Sequence, residues 1–438
     1  MDIRRPKTLF RHDESMTRQL LADLEWRGSI AQTTDRSELE KFLEGGKESV
    51  YLGIDPTAPS IHLGNLVAIV VLRRFQLAGH KPIALVGGAT GLVGDPSGRN
   101  SERTLNEESV VANWVERIRG QLEGLLDFSG TNAATMANNL DWTAPVSALA
   151  FLRDIGKHFS VNQMLAKESV SARLEAGGIS YTEFSYQVLQ AFDFLELNRR
   201  NNCGLQIGGS DQWGNIVAGV DLIRRVSGKS AHALTIPLMT KADGEKFGKT
   251  ATGAIWLDSK MTSPYAFFQF FLNSDDRDVE KLLKAFSFKG REELDSLFET
   301  LKSNPGAREA HRELAREVTT LVHGENECKK AENAAKALFG QSEIGELDLV
   351  TLESAIQELP KTEIVKSSPL PTWVDLITAT GVIESKSAAR RIIKEGGAYL
   401  NNKKVASEDF APSTADLLHG RYLLLRKGKR ELAAVLLK

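Results

Sequence analysis

Tyr186, Gln190 and Asp193 stand at i, i+4 and i+7 of a segment with helical periodicity, 181–197. On a helix that spacing puts a phenol, an amide and a carboxylate on one face. Val188, Leu189, Phe192 and Leu195 lie beside them, and Glu183 is the only charged residue near the segment's start. A solvated face would carry several Lys and Glu, so this one reads as the wall of a site. His62 falls in the first turn of another predicted helix. Unsatisfied N–H groups and the positive dipole end attract phosphate there, and an imidazole can donate to an oxygen gaining charge. Alone, a histidine so placed is more often a cap or surface residue. Lys246 and Lys249 sit in DGEKFGKT, with Gly244, Gly248 and Gly253 around them. A mobile lysine loop suits clamping a phosphate in the transition state. Two better-known phosphate motifs are excluded by spacing. Gly87–Gly91 does not spell GxGxxG, and Asp243 occupies the first obligatory glycine of a P-loop.

The elements that must position these residues follow from local pattern. Tyr51, Leu52 and Ile54 form a strand, which Asp55-Pro56-Thr57 stops. Pro59-Ser60 opens a buried helix with Ser60 as N-cap, Gly79 ends it, and Pro82–Val86 is the next strand. Strand, helix, strand with short connections is a βαβ unit and predicts a parallel sheet. The loop 87–99 carries five glycines and permits close approach to a ligand. In it Asp95 suits an ammonium, although Asp95-Pro96 also fits an ordinary turn; Arg99 and the nearby Arg103 suit phosphates. Leu205–Ile207 is a strand running into Gly208–Gln212. Loops 55–62, 87–99 and 208–212 would converge at the carboxyl ends of the strands. Residues 14–45, 106–127 and 146–170 read as helical, 173–179 as a connector, and 264–340 as almost wholly helical. Pro360, Pro369 and Pro371 mark a linker. Two short helices, 373–378 and 385–395, and strands at 398–400 and 403–405 close the chain.

The 438 residues suffice for about three domains, with a net charge of −2. That charge is uneven. Residues 361–438 hold 14 Lys/Arg against 8 Asp/Glu, a basic tail on an acidic body. A many-lysine surface is the plain alternative to an anionic partner. Cys203 and Cys328 give neither a disulfide framework nor a CxxC metal site. No apolar run approaches the roughly 20 residues of a membrane span. The first residues lack the apolar core of a signal peptide, and Asp2, Asp13 and Glu14 argue against a presequence. A cytoplasmic protein without membrane contact is expected.

DPTAPSIHLGN (55–65) resembles the HIGH signature of class I aminoacyl-tRNA synthetases, and KFGKT (246–250) their KMSKS signature. GGATGLVGDPSGR, YTEFSYQVLQAFDF and GGSDQWGN between them are similar to bacterial-type tyrosyl-tRNA synthetases. The tail segment ESKSAARRIIKEGGAYLNNKKV resembles the RNA-binding fold shared with ribosomal small-subunit protein four. The resemblance implies an α/β protein with a Rossmann-like parallel-sheet catalytic domain (1–262) holding a dimer-interface insertion (about 140–180). An α-helical domain (263–345), a linker (346–372) and a small α+β RNA-binding domain (373–438) would follow. It implies a homodimer, with ATP and Mg2+, L-tyrosine and tRNA(Tyr) as reactants, no protein-ligated metal, and a two-step reaction through tyrosyl-adenylate.

His62, Asn65, Thr57, Lys246, Lys249 and Thr250 would then handle the ATP phosphates. Asp55, Gly64, Gly209 and Asp211 would meet the nucleotide. Tyr51 and Asp193 would hold the phenol, with Asp95, Tyr186, Gln190 and Gln212 around the amino-acid head. Arg99 and Arg103 would meet pyrophosphate or the tRNA 3′ end, and Arg390, Arg391, Lys394, Lys403 and Lys404 the tRNA. A buried donor–acceptor pair rejects a substrate lacking the hydroxyl, a rule for which tyrosyl-tRNA synthetases are themselves a standard example. Asn65 departs from the signature, which usually has a second histidine; asparagine donates a hydrogen bond but cannot become cationic. Tryptophanyl-tRNA synthetase, which shares the fold, and a synthetase-like RNA-binding protein without catalysis are the rival readings.

Overall fold

The computed structural model describes residues 16–97, 105–250, 253–338, 343–365, 369–428 and 431–438. The chain divides into two compact units, Met1–Met261 with Asp275–Ala310, and Thr262–Ser274 with His311–Lys438.

The first unit is built on six strands: β1 (Gln32–Thr33), β2 (Ser49–Ile54), β3 (Lys81–Val86), β4 (Thr135–Asn138), β5 (Cys203–Gly209) and β6 (His232–Ile236). Their order is β1-β6-β5-β2-β3-β4. Only β1 runs antiparallel to its neighbour. From β2 the chain adds β3 and β4 on one side, then returns to add β5 and β6 on the other. The switch point therefore lies between β2 and β5, where a crevice opens beyond the strand ends. A small ribbon of β7 (Lys249–Thr250) and β8 (Gly253–Ala254) follows the sheet in sequence. Val50, Tyr51 and Leu52 are all buried, as expected of a strand covered on both faces. Helices α1 (Leu63–Leu77), α2 (Glu108–Leu125), α3 (Tyr181–Asn201) and α4 (Trp213–Ser227) supply most of that cover. α1 stops where Gly79 takes φ +99, a conformation that costs glycine little. α3 opens on Ser180, whose hydroxyl accepts from Glu183 N.

Local pattern and structure part company in four places. Ser60 does not cap α1. Its hydroxyl donates to Ile61 O and accepts from Gln121 Nε2 and Asp258 N. The chain bends over 57–60 and is extended at His62 (φ −98, ψ 161), which takes the N-cap position without a side-chain cap bond. Leu63 N donates to Ile255 O, and Leu257 N to Ile61 O. Second, 14–45 is not one helix. Gly28 turns the chain at φ +67, and β1 then pairs with the edge of β6 before helix Arg36–Leu43. Third, 146–170 breaks into short pieces, among them a π-helical turn at Phe151–Ile155 and an extended Phe159 after Gly156–His158. Helix Glu168–Ala176 overruns the expected connector. Fourth, the proline-marked stretch holds helix Leu349–Gln357 and strand Lys361–Ile364.

Helices Asp276–Phe286 and Arg291–Ser303 belong to the first unit, whereas Pro264–Leu272 and Glu325–Leu338 belong to the second. In the second unit β9 (Lys361–Ile364), β10 (Ala398–Leu400), β11 (Lys403–Lys404), β12 (Tyr422–Lys427) and β13 (Glu431–Leu437) form a sheet ordered β11-β10-β12-β13-β9. β9 pairs in parallel with β13, the last strand of the chain, which no local pattern announces. Helices α5 (Trp373–Ala379) and α6 (Lys386–Lys394) supply Trp373, Ile377 and Ile393 to a core with Leu423, Leu425 and Val435.

Candidate active site

A cavity of about 700 Å³ opens at the carboxyl ends of β2, β3 and β5. It is lined by Tyr51, Asp55, Thr57, His62, Gly64 and Asn65 from the first signature segment, and by Asp95, Gly209, Asp211 and Gln212 from the two glycine loops. Tyr186, Gln190 and Asp193 of α3 and Lys246 of the lysine loop complete its expected wall. Tyr51 and Lys246, 195 residues apart in sequence, thus line one chamber. Arg99 and Arg103 lie outside the described residues, as do the side chains of Lys249 and Thr250.

The deep end gathers buried polar groups. Tyr51 is 1% exposed and Asp193 3%. Among the described residues the Tyr51 hydroxyl has no hydrogen-bond partner, nor do the Oε1 atoms of Gln190 and Gln206. Gln206 stands opposite Tyr51 in the β2–β5 register and also lines the cavity. Buried polar atoms are nearly always paired, so three orphaned ones on one wall imply a polar ligand. Asp193 is held from behind: Trp142 Nε1 donates to Oδ1 at 2.8 Å and Asn139 Nδ2 to Oδ2 at 2.9 Å. These two bonds favour the carboxylate, yet burial outweighs them and pushes Asp193 up to about 7. Burial, then the neighbouring Asp193, keeps the Tyr51 phenol protonated, well above the ordinary tyrosine value.

A second network lines the middle of the chamber. Tyr186 donates to Asp55 Oδ2 at 2.7 Å, and Thr90 Oγ1 to Asp55 Oδ1 at 2.6 Å. A Cβ on Gly87 would come within 2.1 Å of Asp55 Oδ1, so only glycine lets the carboxylate sit there. Gln212 donates to Asp95 Oδ2 at 2.7 Å, and Ser97 N to Asp95 Oδ1 at 2.9 Å. Asp55, Asp95 and Asp211 concentrate negative potential where an ammonium or a ribose hydroxyl would bind. Asp211 is raised above the usual carboxylate value, first by burial and then by Asp95.

The mouth carries the phosphate-type groups. His62, half-buried at the start of α1, packs edge-on to Trp256 at 6.3 Å. A Cβ on Gly64 would lie 3.0 Å from the imidazole, so any larger residue there would have to push the ring by a few tenths of an ångström. Asn65 lies one turn on, and exposed Lys246 faces the same mouth. Together they offer an imidazole, an amide, an ammonium and a helix N-terminus to an anion. Among the described residues no group of three or more His, Cys, Asp or Glu is arranged to hold a metal ion.

Sequence reasoning missed Asn139, Trp142, Thr90 and Gln206. Asn139 donates to Thr90 Oγ1 and accepts from Ala89 N as well as meeting Asp193. The available signal was a tryptophan and an asparagine together in the short run NNLDW after a strand; its partners on α3 are not readable locally.

In the second unit, Arg390 and Lys394 of α6 are exposed but share Glu408, at 3.5 and 3.2 Å. Arg391 is 74% exposed, and Lys403 and Lys404 stand exposed on β11.

Comparison with known proteins narrows the chemistry. Residues 44–340 match the family model of tRNA synthetases class I (W and Y). Residues 351–435 match that of the tyrosine–tRNA ligase SYY-like C-terminal domain. The tyrosine–tRNA ligase of Streptomyces avermitilis is 58% identical over 418 residues, covering 95% of this chain and 98% of that protein. That of Thermobifida fusca is 54% identical over 430 residues, covering 96% and 99%. A C-terminally truncated mitochondrial tyrosyl-tRNA synthetase from Aspergillus nidulans superposes with a TM-score of 0.68 at 31% identity, covering 74% of this chain and 98% of that one. Plasmodium falciparum tryptophanyl-tRNA synthetase shares the fold alone, at 15% identity and a TM-score of 0.52. Identity above one half over nearly the whole length, together with a tail of tyrosyl type, sets aside both the tryptophanyl and the non-catalytic readings. The chain belongs to the class I aminoacyl-tRNA synthetases and, within them, to the tyrosine–tRNA ligases.

Proposed function

We propose that the cavity binds L-tyrosine with its phenol at the deep end and ATP across the mouth, and joins them as tyrosyl-adenylate. The observation that carries this placement is the buried Tyr51 hydroxyl, without a partner among the described residues, beside a carboxylate oriented by Trp142 and Asn139. The substrate phenol donates to Asp193 and accepts from Tyr51. Its ammonium meets Asp95, Tyr186 and Gln190, and its carboxylate turns toward Gln212 and the mouth.

The tyrosine carboxylate oxygen attacks the α-phosphorus of ATP, and the bond to the β-phosphate bridging oxygen breaks, releasing pyrophosphate. Such a transfer depends on alignment and on charge placed where the phosphate oxygens gain it. His62, Asn65 and Lys246 supply that charge, with Thr57 at the same mouth; Lys249 and Thr250 join them by resemblance. Asp55, Gly64, Gly209 and Asp211 take the nucleoside side. Mg2+ enters on the ATP phosphates, in keeping with its preference for few protein ligands. A 3′-terminal ribose hydroxyl of tRNA(Tyr) then takes the tyrosyl group and AMP leaves. Arg99 and Arg103 would approach the pyrophosphate or the tRNA end. Arg390, Arg391, Lys394, Lys403 and Lys404 would hold the tRNA backbone.

The active form is read as a homodimer. Leu149 (82% exposed), Leu152, Val161, Leu165 and Leu174 all lie exposed in the insertion about 140–180. Among the described residues no helix is long and apolar enough to cross a membrane, and both cysteines are free. A cytoplasmic enzyme is in keeping with both. The test is ATP–pyrophosphate exchange without tRNA, with tyrosine, phenylalanine and tryptophan in parallel. Exchange with tyrosine alone is expected. Exchange with tryptophan would overturn the phenol placement.

A further inference from the structure

The lysine loop is a hairpin, and one helix holds it. Lys241 N donates to Glu245 O at 2.8 Å, Gly244 N to Lys241 O at 2.9 Å, and Phe247 N to Met239 O at 3.1 Å. Thr240 and Lys246 face each other as a bridge pair, so Thr240 sets the register of the lysine that lines the cavity. Helix Asp276–Phe286 touches this hairpin at three levels. Asp278 Oδ2 accepts from Ala242 N at 3.2 Å. Lys281 Nζ donates to Thr240 O at 3.0 Å. The Phe286 ring lies 6.1 Å from that of Phe247, the residue after Lys246. The hairpin is also tied to the start of α1, because Ile255 N donates to Gly248 O and Leu63 N to Ile255 O.

Global stability does not explain Lys281. It is exposed, and the conformational entropy lost in fixing a lysine side chain offsets most of what a charge-assisted hydrogen bond returns. What the bond does fix is the backbone directly opposite Lys246. Asp278, by contrast, is a nearly buried carboxylate near the helix start that reaches out to the hairpin.

We propose that Asp278 and Lys281 are positioning residues for adenylate formation: they pin the hairpin so that the Lys246 ammonium meets the transferring phosphate. This rests on the reading of Lys246 as a phosphate-side group. Neither residue lines the cavity; Lys281 acts at Thr240, the bridge partner of Lys246, and Asp278 at Ala242 of the same hairpin. A 1 Å displacement of a charged group at the reacting phosphate is enough to cost an order of magnitude or more in rate.

The test is a mutant cycle in the full-length enzyme, read by ATP–pyrophosphate exchange and by thermal unfolding. Lys281→Met is expected to lower kcat about tenfold, leave KM for tyrosine unchanged and leave Tm within a degree or so; Lys281→Arg should restore most of the rate. Asp278→Ala should behave alike, and Asp278→Asn, which keeps an acceptor, should restore it. Trypsin cleavage after Lys241 or Lys246 should speed up in Lys281→Met. In a Lys246→Met background, Lys281→Met should cost nothing further. An equal loss in both backgrounds, or a kcat loss that tracks Tm, would overturn the positioning role. If Lys246→Met itself left exchange unchanged, the phosphate-side reading would fall and the proposal with it.

Discussion

Replacing Tyr51 by phenylalanine should strengthen the empty fold and weaken tyrosine recognition, two opposite effects from one oxygen. The hydroxyl is buried and makes no hydrogen bond among the described residues. Leaving a buried polar group unpaired costs about 1–3 kcal/mol. Because this one lies on a cavity wall, solvent offsets part of the cost, and the gain on removing it is taken as about 1 kcal/mol. The ring itself, packed 5.1 Å from Phe194, keeps its neighbours. For an enzyme of this size the gain is a rise in Tm of about 1 °C. With substrate bound, the missing hydrogen bond is worth about 1 kcal/mol, or about fivefold in the tyrosine-to-phenylalanine ratio of kcat/KM. Scanning fluorimetry of the free enzyme and ATP–pyrophosphate exchange with each amino acid measure the two effects. A Tm that falls by several degrees, or an unchanged ratio, would refute the claim that this hydroxyl is kept for the ligand.

Three further outcomes are expected. Asp193 stays protonated in the fold up to about 7, against 3.8 when unfolded; folding is therefore penalised increasingly as pH rises through that window, by up to about 4 kcal/mol. The Tm difference between Asp193→Asn and the parent should grow in favour of the variant from about pH 4 to pH 8, and a flat difference would contradict it. Burial, with no hydrogen-bond partner for either ring nitrogen among the described residues, holds His80 down to about 4. The unfolded state binds the proton first, so stability present above the ordinary 6.5 is lost as pH falls toward 4, by about 3 kcal/mol; His80→Leu should flatten that slope in pH-dependent urea unfolding. Arg391→Ala with Lys403→Ala and Lys404→Ala should raise KM for tRNA and reduce the salt slope of binding by about 0.7–0.9 for every phosphate the tail no longer neutralises, without touching pyrophosphate exchange; a matching drop in exchange would deny the tail its separate role.

The basic tail, the βαβ unit and the two signature segments are properties of near neighbours in the chain, and the sequence alone determines them. The same holds for Tyr186, Gln190 and Asp193, because helical spacing puts them on one face whatever surrounds it. Why Ser60 does not cap α1, or why β9 joins the tail sheet, is not local: in each case a distant backbone or side chain claims the hydrogen-bonding groups first. The deep pocket shows this most clearly. Asp193 is legible as a polar residue on a helix, but what aims it is Trp142 and Asn139, 51 and 54 residues earlier. Lys246 is likewise legible as a loop cation, while its register depends on Lys281, whose bond to Thr240 spans 41 residues. The identities of the reacting groups are written in short motifs; their orientation arises only when the parallel sheet brings separate segments to the ends of β2 and β5, since a hydrogen bond depends on where two atoms meet and not on how far apart they lie in the chain.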